Sequence, residues 1–87
     1  MYSLAIKPEL DKKFNKLFKK DRKQYQIIFE KIKEIILNPQ HYKNLRVPQN
    51  RWKRVHIDKH FVLLFSVDEN SKIVTLEDYD HHDNIYK

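Results

Sequence analysis

Arg51-Trp52-Lys53-Arg54-Val55-His56-Ile57-Asp58-Lys59-His60-Phe61-Val62-Leu63-Leu64-Phe65-Ser66-Val67 is the stretch whose reading decides the fold. Its first half alternates: Lys53, Val55 and Ile57 lie on one side, and Trp52, Arg54, His56 and Asp58 on the other. That is the period-2 pattern of a half-buried strand. Residues 61–67 are apolar on both parities and predict a central strand covered on both faces. A polar turn joins the two into a hairpin. A three-residue turn at 58–60 sets Val55 and Ile57 beside Phe61, Leu63 and Phe65, with Arg54 and His56 beside Val62 and Leu64. A two-residue turn exchanges the pairing, and the periodicity does not choose between them.

Working outward, 87 residues suggest one domain spanning 1–87. Chains of this size bury only ~60–65% of their unfolded surface, so the core is marginal. The absence of cysteine excludes disulfides and thiolate chemistry. No apolar run approaches the ~18 residues of a membrane span, so no membrane is expected. Met1-Tyr2-Ser3-Leu4-Ala5-Ile6-Lys7-Pro8 has no basic leader before a long apolar stretch, which predicts no signal peptide and a cytoplasmic location.

The net charge of +6 is unevenly divided. Residues 1–60 carry 16 Lys or Arg against 6 Asp or Glu, a balance of +10, whereas residues 61–87 carry 2 against 6, a balance of −4. A basic surface of this kind suits a phosphate-rich partner, because each cation near a phosphate displaces condensed counterions. The same composition also fits solvated helix faces or a heat-adapted protein that uses surface charge.

Tyr2 to Ile6 read as a short strand, ended by Lys7-Pro8, since proline suits a helix's first turn and cannot continue a strand. A helix follows with Leu10, Phe14, Leu17 and Phe18 as its apolar stripe and Lys12, Lys13, Lys16, Lys19 and Lys20 spread around the rest. Asp21 with Gln24 predicts a capping box that opens a second helix, whose stripe is Tyr25, Ile28, Phe29, Ile32, Ile35 and Ile36. Asn38-Pro39 stops it. Residues 39–50 form a loop carrying Lys43 and Arg46. After the hairpin, Asp68-Glu69-Asn70-Ser71 supply turn chemistry, and a last strand runs from Ile73 to about Asp78.

The expected fold is therefore α+β, in the order β-α-α-β-β-β: a small, mainly antiparallel sheet with a helical hairpin packed on one face. The face bearing Arg54 and His56 is left open to solvent, substrate or another chain. Because residues 61–67 are apolar on both parities, that face is not wholly polar, and an amphipathic, acidic partner is expected to cover apolar surface there or between the helices.

Several chemistries are absent. A chain without glycine has no Gly-rich phosphate loop, and no nucleophilic triad is present. Asp80-His81-His82-Asp83 lacks a spacing that points three ligands together, since adjacent strand residues face opposite ways. No metal site and no cofactor are expected. Arg54 suits phosphate, being always protonated and able to pair bidentately. His56 lies two residues on and on the same face, and an imidazole that titrates near neutrality can act as base or acid.

The chain resembles a RelE/ParE-superfamily toxin, most like an archaeal RelE. Carrying the resemblance are a basic-x-basic pair on the first hairpin strand (Arg54, His56), the apolar strand at 61–67, and a closing His81-His82-Asp83-Asn84-Ile85-Tyr86 segment similar to His-Arg-x-x-Ile-Tyr. It implies the RelE-like fold and the toxin of a type II toxin-antitoxin system, a ribosome-dependent endoribonuclease that cuts mRNA in the A site. It also implies a cognate RelB-like antitoxin. On this reading Arg54, His56, His82 and Tyr86 are the catalytic candidates. Arg46, Arg51 and Lys53 bind RNA, and Lys12, Lys13, Lys16, Lys19 and Lys20 dock on ribosomal RNA by charge. Lys53 has the parity of the core side. Many active members of the family have an arginine where Val62 stands, and often another where His82 stands. One branch places a catalytic histidine at the latter point, in a Gly-x-His-Ser-Asp-Leu-Phe-like ending that residues 82–86 echo. The alternative is a non-catalytic ParE-like or decayed member that binds a protein target or only its antitoxin. A generic basic nucleic-acid-binding domain would explain the charge but not the histidines.

Overall fold

In a computed structural model, which describes residues 1–45 and 51–85, the expected element order is present with two additions. The elements are β1 (Ser3–Ile6), α1 (Pro8–Lys20), α2 (Arg22–Leu37), a 3-10 turn (Pro39–His41), β2 (Lys53–Ile57), β3 (Phe61–Asp68), β4 (Ile73–His81) and α3 (His82–Ile85). Sheet order is β1-β4-β3-β2, with the last three strands antiparallel and β1 joined to β4 in parallel. A parallel join needs a crossover, and α1 and α2 supply it.

Local chemistry explains the helix boundaries. Pro8 opens α1, Glu9 and Asp11 stand at its positive end, and Lys19 and Lys20 at its negative end. Asp21 is the single residue between the helices. Its N–H donates to the Leu17 carbonyl (2.8 Å), and its carboxylate accepts from the Gln24 N–H (3.1 Å). The expected reciprocal half of the capping box does not form. The Gln24 side chain is buried and instead donates to the Tyr79 hydroxyl across the domain (2.9 Å), satisfying a polar group that would otherwise be orphaned. Burial pushes the Tyr79 phenol above its ordinary value, partly offset by that hydrogen bond.

The hairpin takes the three-residue turn, pairing Ile57 with Phe61, Val55 with Leu63 and Lys53 with Phe65. Asp58 opens the turn at φ 57°, a left-handed position that a chain without glycine fills with a residue that tolerates it. Val55, Ile57, Leu63, Phe65, Val74, Leu76 and Tyr79 then face Leu10, Phe14, Ile28, Ile32 and Ile35 in the main core.

Three expectations need correction. The last strand runs to His81 rather than Asp78, because Asp78, Tyr79, Asp80 and His81 pair with Leu64, Leu63, Val62 and Phe61. Leu64 faces Asp78 but Phe65 faces Leu76, so Glu77 is an extra residue, and this bulge breaks the strand's alternation. The second sheet face is also not fully open. Val62 (0% exposed) and Leu64 (4%) are buried beneath Leu45, Trp52 and Ile85, which form a second, smaller apolar cluster. The apolar residues on that parity are thus covered by the chain itself and give no independent argument for a partner.

Candidate active site on the second sheet face

Arg54 and His56 project from β2 onto the face away from the helices, in register with Leu64 and Val62. They stand about 7 Å apart along an extended strand. Residues 43–45 run beside β2: the Arg54 N–H donates to the Lys43 carbonyl (3.0 Å), and the Leu45 N–H to the Trp52 carbonyl (2.9 Å). This second line of hydrogen bonds fixes the strand from which both side chains hang.

The third candidate arrives from the other end of the chain. Where β4 ends, the His82 N–H donates to the His60 carbonyl (2.6 Å), folding α3 back over the start of β3. The rings of His56 and His82 then stack, with centroids 5.7 Å apart and planes at 29°. A second pair, His60 and His81, stacks at 5.9 Å and 3°. Four of the chain's five imidazoles therefore gather at one end of the sheet.

Carboxylates orient this end. Asp80 accepts from the His81 N–H (2.7 Å) and the Asn84 side chain (3.0 Å), and the Asn84 contact chiefly holds its carboxyl below the usual range. Asp83 lies 3.7 Å from the Nδ1 atoms of both His81 and His82. Among the described residues, no three His, Asp or Glu side chains converge where a metal ion could sit.

A site with a fixed cation and two adjacent imidazoles matches the needs of RNA cleavage by an internal hydroxyl. A base takes the 2′-hydroxyl proton, an acid protonates the leaving 5′-oxygen, and positive charge stabilises the phosphorane-like transition state. The structure thus brings Arg54, His56 and His82 onto one face. Tyr86 and Arg46, the other candidates from the chain's ends and loops, lie outside the described residues.

The basic residues divide. Lys53 is not presented with Arg54: its ammonium donates to the Tyr42 carbonyl (3.0 Å) and the Asn44 side chain (2.8 Å), pinning residues 42–44. Arg51 is exposed, with its guanidinium 5.9 Å from the Trp52 ring. The α1 lysines are exposed but do not spread evenly. Lys13, Lys16 and Lys20 line one groove with Leu17, Phe61, Tyr79 and Asp80, because positions three and four apart share a helix face. Lys13 is further tied to Asp78 (3.3 Å) and the Tyr79 carbonyl (3.0 Å). Lys12 and Lys19 point elsewhere on the helix.

Sequence reasoning passed over a cleft of about 390 Å³ at the opposite end of the same face, lined by Lys7, Arg51, Trp52, Ser66, Val67 and Glu77. Its signal was available: the core positions Val74, Leu76 and Tyr79 are spaced two and then three apart, which betrays the bulge at Glu77.

No protein-family model matches the chain. It is 60% identical over 87 residues to a Methanocaldococcus jannaschii protein named “Putative toxin RelE4”, covering 100% of this chain and 93% of that one. Among solved structures, a YoeB/ParE toxin from Agrobacterium tumefaciens superposes with a TM-score of 0.79 at 10% identity, covering 92% of this chain and 98% of that one. The RelBE2 toxin-antitoxin complex from Mycobacterium tuberculosis gives 0.77 at 17% identity, covering 93% and 98%. At such identities these two likenesses show the fold alone.

Proposed function

Because the chain belongs to the RelE/ParE superfamily of toxins, we propose that it is a metal-independent mRNA endoribonuclease that acts in the ribosomal A site and inhibits translation. The single observation that carries this reading is the stacked His56–His82 pair on the face that bears Arg54. One imidazole, neutral, takes the proton from the 2′-hydroxyl, whose oxygen attacks the adjacent phosphorus. The other, protonated, gives its proton to the departing 5′-oxygen. The products are a 2′,3′-cyclic phosphate and a 5′-hydroxyl. Arg54 neutralises the non-bridging oxygens as charge builds there, Tyr86 donates a hydrogen bond or stacks on a base, and the cations of α1 hold ribosomal RNA.

A RelB-like antitoxin is the proposed partner, acidic and folding on this basic protein. It would inhibit by covering the Arg54 face and by bulk that blocks entry to the ribosome. Primer extension on mRNA from translating ribosomes tests the enzyme: A-site cuts by wild type, lost in Arg54→Ala and His82→Ala, support it, and no cuts by wild type would retire it. Removing one acid–base imidazole should slow cleavage by about 10²- to 10⁴-fold.

One observation favours a second reading, a non-catalytic member that binds a protein target or only its antitoxin. Position 62, where many active relatives carry arginine, holds a valine fully buried beneath the second cluster, so no cation is presented there. In that case the same assay yields no cuts although the toxin still captures its antitoxin.

A further inference from the structure

The cleft at the far end of the second face is built from four separate segments. β2 is preceded by Arg51 and Trp52, β3 contributes Ser66 and Val67, β4 contributes the bulged Glu77, and Lys7 follows β1. Trp52 and His56 stand four residues apart along an extended chain, about 13 Å. A few nucleotides of single-stranded RNA bridge that distance, so one strand lying on this face would touch both ends.

Glu77 is the unusual element. Its side chain is only 8% exposed, yet it lines an open cleft. The Ser66 hydroxyl donates to Oε2 (2.6 Å) and fixes the carboxylate. Oε1 has the Lys7 ammonium 2.9 Å away as an ion pair, and no further hydrogen-bond donor among the described residues reaches this oxygen. The carboxylate is thus held on one oxygen by a hydroxyl and on the other by a lysine whose place an N–H donor can take. The Lys7 side chain is 49% exposed, and a solvated lysine arm releases such a pair readily. Beside the carboxylate stands an indole, the side chain best suited to stack on a base, with Arg51 and Lys7 at the rim in position for a phosphate.

We propose that this cleft is a nucleobase subsite, in which the Trp52 ring stacks on a base and the Glu77 carboxylate accepts hydrogen bonds from that base's Watson–Crick edge. Guanine is the best match, because its N1–H and N2–H donors lie side by side and engage both carboxylate oxygens. Adenine and cytosine offer one amino group. Uracil sets its single N–H between two carbonyl oxygens that the carboxylate repels. The ligand class rests on the RNA reading above, but the subsite requires neither ribosome nor cleavage.

Trp52 is the only tryptophan, so the protein's indole fluorescence reports on this cleft and on the apolar cluster it roofs. Titration of the full chain with GMP, AMP, CMP and UMP should give saturable quenching, with GMP roughly tenfold tighter than UMP, the discrimination expected of one bidentate pair. N1-methyl-GMP, which keeps only its amino group as a donor, should bind wild type no better than AMP or CMP, and this arm needs no variant to fold. Glu77→Gln, checked for an unchanged melting profile, should still be quenched but lose the preference for GMP. Equal quenching by all four nucleotides, an unaffected N1-methyl-GMP, or no quenching at all would overturn the subsite. Guanine-selective quenching by a protein that leaves mRNA uncut on ribosomes would retire the nuclease and keep the subsite, whereas A-site cuts without base selectivity at Trp52 would do the reverse.

Discussion

Phe65 and Leu64 are neighbours in the chain and lie on opposite faces of one strand, and the two faces are built to different standards. Phe65 enters a core lined from both helices and from three of the sheet's strands, where Phe14 meets Phe29 and Tyr79 edge to face. Leu64 enters a small cluster whose roof is three side chains from three separate segments: Leu45, Trp52 and Ile85. The first face binds the domain together. The second holds only enough apolar contact to seat α3, and with it His82, over the floor that carries Arg54 and His56. A thin roof suits a surface that must expose charged groups, since a thick apolar layer would bury them at a large desolvation cost.

This contrast can be broken at three points. Phe65→Ala empties the dense face and should cost about 3–5 kcal/mol of unfolding free energy in denaturant titration, a loss large enough to unfold a marginal domain. Leu64→Ala should cost less, about 2–3 kcal/mol, because the loosely covered site can collapse. If it costs more than Phe65→Ala, the ranking of the two faces is wrong. Ile85→Ala should lower stability by only about 1–2 kcal/mol, since the residue is half-buried, yet it should release α3 and reduce cleavage far more than its stability cost implies. Full activity in Ile85→Ala would mean that His82 does not depend on the roof.

The smallest effect lies away from both faces. Glu69 accepts from the Tyr2 hydroxyl (2.8 Å) and from Lys72 (2.9 Å), and it also binds Gln40, so its carboxyl is held at about 2, below the ordinary 4.5, chiefly by the Lys72 contact. A lowered folded-state pKa stabilises at pH above 4.5 and is lost as pH falls from there toward about 2. Glu69→Gln should therefore flatten the acid limb of the stability profile by slightly lowering stability near neutrality while leaving it little changed near pH 2, and because the cluster is solvent-exposed the effect should be small and shrink in high salt.

Much of this was legible in residue spacing. The stripes Leu10-Phe14 and Ile28-Ile32-Ile35 and the parity of Val55, Ile57, Leu63 and Phe65 predicted the helix-covered core, because burial on a helix or strand repeats with a fixed period. Arg54 and His56 could be placed together for the same reason. Their partner His82 could be named only through resemblance, since 26 residues separate it from His56 and no period links them. Asp21 caps the second helix as its residue type predicts, but the Gln24 side chain reaches Tyr79 instead of closing the box; a nearby backbone partner is visible in sequence and a distant side chain is not.

By itself, then, the sequence determined the two long helices, the four strands, the core face and the basic side of the hairpin, all of which follow from local periodicity, capping residues and proline. Only the tertiary structure decided the rest: the parallel join of β1 to β4, the three-residue turn, the bulge that turns Glu77 into the cleft with Trp52, and the fold-back that stacks His82 on His56. These depend on which distant surfaces meet, and that is settled by the simultaneous packing of all the elements rather than by any one segment's preferences.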